Sequence, residues 1–310
     1  MRDFFIEELT KHATANPDIM LITGDLGFNV FDEFRRDLPA QFINAGVAEQ
    51  NMTMVAAGMA IEGKKIFTYS IGNFPTLRCL EQIRNDVCYH DLDVCIVSIG
   101  GGFSYGQLGM SHHAIEDLSI MRAIPNLRVF VPGTLDDVGW AIDQIINQSG
   151  PSYLRLDKSF ADIKALEDYK PNTASIITEG DDIALISSGG ILQEALKAEN
   201  KLQNAGISCR IINMHTLKPL DTNTIIRACK ETQGVVTIEE NTISGGLGSA
   251  VAEVCMDNLV FPNFFKRIGI KDIFPTTVGD QNYLREEYEI NSDYIVDVIM
   301  KKFSISKRKV

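Results

Sequence analysis

Residues 42–60 read FINAGVAEQNM followed by TMVAAGMA. The small and apolar residues of this stretch predict a packed helix that carries Glu49 in its first turn. An acidic residue there is common, because it interacts favourably with the helix dipole. A carboxylate buried in such a helix can instead share a proton with a basic ring nitrogen of a ligand. The stretch by itself leaves both interpretations of Glu49 open.

The composition limits the classes of function. With 310 residues, 45% of them hydrophobic, the chain can bury a large core and is expected to form two domains. Its net charge of −12 indicates binding neither to nucleic acid nor to an anionic membrane surface. The six cysteines show no zinc-like spacing, so we expect reduced thiols and no metal site on this chain. The charged N-terminus and the lack of a long apolar run predict a cytoplasmic protein.

Short apolar runs alternate with helical stretches along the chain, beginning with residues 19–23. This alternation predicts an α/β fold of two consecutive parallel-sheet domains. We place the first domain at residues 1–165, a polar linker at 166–180 and the second domain at 181–310. Ligands of such sheets collect at the carboxyl ends of strands. The candidate positions are therefore Gly24-Asp25, Ser70-Ile71, Gly100-Gly101-Gly102 and Arg155.

Two glycine-rich segments were tested against phosphate-binding motifs. The segment at residues 100–105 has Tyr105 where a dinucleotide fingerprint needs its third glycine, and the segment at 246–251 has Val251 there. No P-loop sequence occurs. Neither segment indicates a nicotinamide or a P-loop nucleotide site.

Residues 46–52, GVAEQNM, closely resemble the G-I-A-E-Q-N-M signature of the transketolase group of thiamine-diphosphate enzymes. In that family the glutamate hydrogen-bonds a ring nitrogen of the aminopyrimidine and thereby activates the cofactor. The resemblance implies that Glu49 is catalytic and binds thiamine diphosphate. It extends along nearly the whole chain, and it implies a pyrimidine-binding domain followed by the family's C-terminal domain.

Residues 69–77 and 81–87 resemble the family's wall around the aminopyrimidine. Phe74 is the candidate for stacking on the ring, with Leu77 beside it, because a flat aromatic face suits a flat heterocycle. Asp25, at the end of the first strand, is also expected at the cofactor. Each of these side chains could instead have only a structural role.

Residues 111–117, SHHAIED, resemble the family segment whose first histidine contacts the substrate. The resemblance implies that His112 is a catalytic, substrate-binding residue that can shuttle a proton. Arg155 lies where the family has a phosphate-binding arginine, although a structural salt bridge is nearly as good an interpretation. Leu108 and Gly100 replace polar family residues that contact the sugar. These departures leave open whether the substrates are sugar phosphates.

The family's G-D-G motif for diphosphate and Mg²⁺ is missing, and residues 24–27, GDLG, do not match it. A second polypeptide should therefore supply the diphosphate-binding domain and most of the contacts to Mg²⁺. The resemblance implies the C-terminal subunit of a split transketolase, in an α2β2 heterotetramer that moves a two-carbon ketol unit between sugars. The alternatives are a β subunit of a 2-oxo-acid dehydrogenase, a deoxyxylulose-phosphate synthase fragment, or a non-catalytic regulatory relative.

Overall fold

The structure is a computed structural model that describes residues 1–27, 29–163 and 169–307. Two mostly parallel sheets form its framework. The strands are β1 (Ile19–Thr23), β2 (Phe42–Asn44), β3 (Lys65–Ile71), β4 (Val94–Ile99), β5 (Arg128–Phe130), β6 (Ser152–Leu156), β7 (Ser175–Thr178), β8 (Ile183–Ser188), β9 (Cys209–Asn213), β10 (Thr216–Lys218), β11 (Val235–Thr242) and β12 (Phe265–Ile270). The first sheet has the order β10-β5-β6-β4-β3-β1-β2, and the second has the order β12-β11-β8-β9-β7.

Helices cover both faces of each sheet. They are α1 (Arg2–Ala15), α2 (Asp32–Asp37), α3 (Glu49–Ile61), α4 (Leu80–Gln82, continued by a π-helical segment Ile83–Cys88), α5 (Asp117–Ala123), α6 (Leu135–Asn147), α7 (Leu192–Asn204), α8 (Thr222–Glu231), α9 (Leu247–Asp257), α10 (Gln281–Glu287) and α11 (Ser292–Lys307). Apolar residues of α1 and α6 cover one face of the first sheet. The core on its other face, which includes α3, is continuous with the core of the second sheet. The predicted fold of two successive parallel-sheet α/β domains is confirmed.

Each sheet has one antiparallel strand at an edge. In the second sheet this is β7, which pairs with β9 and lies within residues 166–180, the range that we assigned to a linker. In the first sheet it is β10, which pairs with β5 although it comes from the second half of the sequence. The predicted boundary at residues 165–166 lies outside the described residues. The division into domains stays a prediction, and the two halves share a strand.

The sheet order brings the carboxyl ends of β2, β1, β3 and β4 to one edge, side by side. Buried polar and aromatic residues follow these ends, because parallel strands direct their C-terminal loops to the same side. Helix α3 begins at this edge, so its first residue faces the same loops. Within the described part of the chain, no helix has the length and apolar character needed to cross a membrane.

Candidate functional site

Glu49 is the first residue of α3 and is only 2% exposed. It lies against Gly24 at the end of β1, where an added Cβ would come within 3.3 Å of the Glu49 Cγ atom. Its Oε2 atom accepts a hydrogen bond of 2.7 Å from Nη1 of Arg78. Among the described residues, none donates a hydrogen bond to the second oxygen, Oε1. Glu49 is therefore a buried carboxylate with one oxygen paired and one oxygen able to bind a ligand.

Phe74 lies in the loop after β3. The guanidinium carbon of Arg78 lies 4.5 Å from the centre of the Phe74 ring, so Arg78 links the ring to the carboxylate. The Phe74 ring also contacts the His112 ring. The two rings lie edge to face, with 5.3 Å between their centroids. Leu77, in the same loop, is partly exposed. The structure thus brings together three predicted site residues, Glu49, Phe74 and His112, through the unpredicted Arg78.

The two adjacent histidines differ in environment. His112 ends a short 3-10 turn, Met110–His112, and its Nδ1 atom lies 3.1 Å from the Ser111 hydroxyl. Among the described residues, Nε2 of His112 has no hydrogen-bond partner. His113 is buried, its Nε2 atom lies 3.2 Å from the carbonyl oxygen of Gly106, and burial lowers the pKa of its imidazole. Of the two imidazoles, that of His112 is thus the more exposed.

Asp25 is exposed at the end of β1, with a positive φ of 60°. The Asn44 side chain donates a hydrogen bond of 2.9 Å to Oδ1 of Asp25, and the Asp25 amide donates one of 3.1 Å to Asn44. Asp25 and Asn44 therefore fix the loops at the ends of β1 and β2. The predicted contact of Asp25 with the cofactor stays a prediction.

Arg155 requires a correction. It is 2% exposed, and all three guanidinium nitrogens have partners: Nη1 lies 3.3 Å from Asp117, Nε lies 3.2 Å from Asp157, and Nη2 donates to the Glu240 carbonyl oxygen at 2.9 Å. Two buried carboxylates hold this cation, and a side chain so enclosed cannot reach a substrate phosphate. Arg155 belongs to a buried ion-pair network between the two sheets, which is the structural alternative considered for it.

A cavity of about 420 Å³ lies near the end of β6 and contains a residue that the sequence analysis missed. Its cation is Lys158, whose ammonium nitrogen lies 3.9 Å from the centre of the Tyr105 ring, and burial lowers the pKa of Lys158. Leu108 lines the same cavity. The Tyr105 ring lies over Gly100, where an added Cβ would be 2.1 Å from it, so a larger residue at 100 would displace the ring. Lys158 lies two residues beyond the end of β6, and no motif or periodicity in the sequence pointed to it.

The residues present fit the pyrimidine half of thiamine diphosphate. Glu49 offers a buried carboxylate oxygen, Phe74 offers an aromatic ring, and Gly24 leaves the space beside Glu49 free of a side chain. In contrast, residues 1–27, 29–163 and 169–307 include no group of three or more His, Cys, Asp or Glu side chains arranged to bind a metal ion. Among the described residues, the site thus offers groups suited to an aromatic heterocycle and none suited to a metal ion.

Comparison with known families agrees with this geometry. The family model for the transketolase pyrimidine binding domain matches residues 1–162, and the model for the transketolase C-terminal domain matches residues 172–295. Together the two models cover most of the chain. Enzymes of this family depend on thiamine diphosphate, which is the cofactor that the site fits.

Individual relatives are subunits of similar size. The chain is 35% identical to a subunit of the apulose-4-phosphate transketolase of Actinobacillus succinogenes, over 86% of each protein. It is 35% identical to the 6-deoxy-6-sulfo-D-fructose transketolase subunit SqwH of a Clostridium strain, over 96% of this chain and 92% of the relative. A solved split gene transketolase, described as an inactive beta4 tetramer, has a TM-score of 0.87 and 33% identity, with 97% of each chain covered. The chain therefore belongs to the transketolase family of transferase enzymes, as a C-terminal subunit of the split type.

Proposed function

We propose that this chain, together with a separate diphosphate-binding subunit, transfers a two-carbon ketol unit from a ketose to an aldehyde acceptor. The observation that carries the proposal is the buried Glu49 carboxylate, which is joined through Arg78 to the Phe74 ring, and that ring contacts the His112 ring. A carboxylate, an aromatic wall and a histidine in one place are the groups that proton transfer to a bound heterocycle and its substrate requires.

Each residue has a distinct task in this reaction. Thiamine diphosphate, when bound, supplies the carbanion chemistry that side chains cannot perform. Glu49 holds and releases a proton at Oε1, while Arg78 balances the charge at Oε2. Phe74 and Leu77 orient the pyrimidine, and stacking adds about 0.5–1.5 kcal/mol to the burial of the ring. His112 moves a proton at Nε2 to or from substrate oxygens, because Ser111 engages Nδ1.

The partner subunit supplies what the described residues lack. It is expected to bind the diphosphate through Mg²⁺ and to assemble with this chain as an α2β2 heterotetramer. The inactive state of the related beta4 tetramer supports such a need for a partner. A further support is the exposed apolar surface along α3 and the loop before it, where Val47 is 76% exposed and Ile61 is 65% exposed. Such surfaces mark protein–protein contacts, and this one begins next to Glu49.

Reconstitution tests the proposal directly. The chain is purified alone and with a candidate subunit that carries G-D-G and a downstream asparagine, and binding of thiamine diphosphate is measured by calorimetry with Mg²⁺. We expect cofactor binding and ketol transfer only in the mixture. If no mixture binds the cofactor, a non-catalytic relative is the better description. If the mixture acts on 2-oxo acids but transfers no ketol unit, the dehydrogenase or synthase alternative replaces the proposal.

We further propose that Lys158, and not Arg155, contacts an anionic group of the substrate. Lys158→Met should raise the KM for a ketose bearing a phosphate or sulfonate by about tenfold, because one charge-assisted contact is lost. The KM for a neutral ketose should not change. The measurement is a comparison of both KM values in the reconstituted enzyme.

The control for this prediction is Lys64→Met, which removes a surface cation that pairs with Asp18. This control should leave both KM values unchanged. An equal rise for charged and neutral ketoses in Lys158→Met would show that Lys158 shapes the site without contacting the anion.

A further inference from the structure

His112 is carried by a loop, residues 100–114, that we call the His112 loop. The loop closes on itself through a short antiparallel bridge: the Gly102 amide donates to the Ala114 carbonyl oxygen at 2.7 Å, and the Ala114 amide donates back at 3.0 Å. The side chain of Asn73 adds a hydrogen bond of 2.8 Å to the His113 carbonyl oxygen. The position of Gly102 therefore fixes the position of Ala114, two residues after His112.

A carboxylate from the second sheet reaches into this bridge. Glu240 lies near the end of β11, and its Oε1 atom accepts a hydrogen bond of 2.6 Å from the amide of Phe103. Gly102 has a φ of 59°, and an added Cβ there would lie 2.5 Å from the Glu240 Cγ atom. Because residue 102 has no side chain, Glu240 can approach the loop backbone directly.

Glu240 is itself held in place on its other side. Its Oε2 atom accepts hydrogen bonds from Arg285, at 2.7 Å from Nε and 2.6 Å from Nη2, and Gln281 donates to Oε1 at 2.9 Å. Arg285 also donates to the Ser159 hydroxyl at 2.8 Å. Both charged side chains are almost completely buried, and such charge-assisted pairs are strongly oriented.

We propose that Glu240 is a positioning residue, through which the C-terminal domain sets the place of His112. The Glu240 carboxylate connects Arg285 and Gln281 of helix α10 to the amide of Phe103 and so fixes the start of the His112 loop. The bridge between Gly102 and Ala114 then fixes the end of the loop, two residues after His112. This inference deepens the proposed function and rests on it for its catalytic part. In this proposal the C-terminal domain contributes to the site by positioning His112, in addition to its structural role.

Amide exchange tests the structural part without any cofactor or partner. In Glu240→Gln, the single amide oxygen can face either Phe103 or Arg285, and the charged Arg285 is the stronger donor, so the Phe103 amide loses its acceptor. We expect the amides of Gly102, Phe103 and Ala114 in the full-length chain to exchange about tenfold faster, as measured by hydrogen exchange. The amides of β1 and β3 should keep their wild-type rates. Unchanged exchange in the His112 loop would overturn the proposal.

Glu253→Gln is the matched control. Glu253 also forms an ion pair across the two halves of the chain, with Arg122 at 2.7 Å, but it contacts no residue of the His112 loop. This variant should leave exchange in the loop unchanged. If Glu240→Gln fails to fold, Gly102→Ala replaces it, because the added methyl group would lie 2.5 Å from the Glu240 Cγ atom and must separate the Gly102–Ala114 bridge from the Glu240 carboxylate. Exchange that stays slow in Gly102→Ala would also overturn the proposal.

Kinetics of the reconstituted enzyme test the catalytic part. We expect Glu240→Gln to lower kcat by about tenfold while the affinity for thiamine diphosphate, measured by calorimetry, stays within about twofold, because Glu240 acts on His112 and not on Glu49. A loss of cofactor affinity equal to the loss of kcat would mean a general structural effect and would overturn the proposal. A wild-type mixture without ketol transfer would refute the proposed function, whereas the exchange result would stand independently.

Discussion

Glu49→Gln is expected to abolish ketol transfer in the reconstituted enzyme, with kcat reduced by about 10²–10⁴-fold, the usual contribution of a general acid or base. Glutamine has the same shape as glutamate but cannot hold or release the proton at Oε1. The measurement is a kcat determination on the complex, together with a thermal unfolding curve of the chain. The melting temperature should change little, because α3 keeps its buried side chain at the same position.

Glu62→Gln is the control for this prediction, since Glu62 caps the other end of the same helix and is exposed. It should behave as wild type in both measurements. Near-normal ketol transfer by Glu49→Gln would remove the basis for assigning Glu49 a catalytic role. It would also weaken the proposed reaction itself, because Glu49 is the group on which proton transfer to the cofactor depends in this proposal.

Arg155→Met should lower the free energy of unfolding by about 3–5 kcal/mol, which is the usual effect of removing one partner from a buried ion pair. Asp117 and Asp157 would remain buried without their cation. Burial already raises the pKa of Asp117, and the charge of Arg155 opposes that rise. Urea unfolding of the full chain measures the loss. A change in substrate KM with unchanged stability would restore the substrate-binding role first predicted for Arg155.

Arg122→Met provides the comparison. Arg122 pairs with Glu253, a carboxylate that is more than half exposed, so its removal should cost no more than about 1 kcal/mol. If the two arginine variants lose equal amounts of unfolding free energy, the ion pairs of Arg155 are no more desolvated than that of Arg122, in contradiction to the structure.

The strands that the sequence predicted best are those buried on both faces. Residues 19–23 are an apolar run, and β1 has those bounds. Among the strands that were not predicted are β7 and β10. Each is an antiparallel edge strand of three or four residues, and such short segments show no periodicity of their own. Their pairing depends on partners that are distant in sequence.

Some residues of the candidate site could be proposed from sequence motifs, and their roles stay predictions. The sequence motifs that contain Glu49, Phe74 and His112 indicated these residues as site candidates. In the structure the three are connected through Arg78 and the contact between the Phe74 and His112 rings. The pairing of Arg78 with Glu49 was not predictable, because it depends on how the loop after β3 meets the start of α3. The burial of Arg155 could not be predicted either, because its partner Asp117 lies on α5, 38 residues earlier in the sequence.

The shared strand β10 has a consequence for how this polypeptide can be divided. Residues 1–165 produced separately would leave β5 at the edge of the sheet, with unpaired N–H and C=O groups that invite aggregation. In the separate C-terminal half, β10 would lose its pairing partner β5. The Lys218 ammonium group would lose the carbonyl oxygen of Arg122, to which it donates a hydrogen bond. Because each half depends on the other at β10, the two domains are expected to be inherited together as one translated unit.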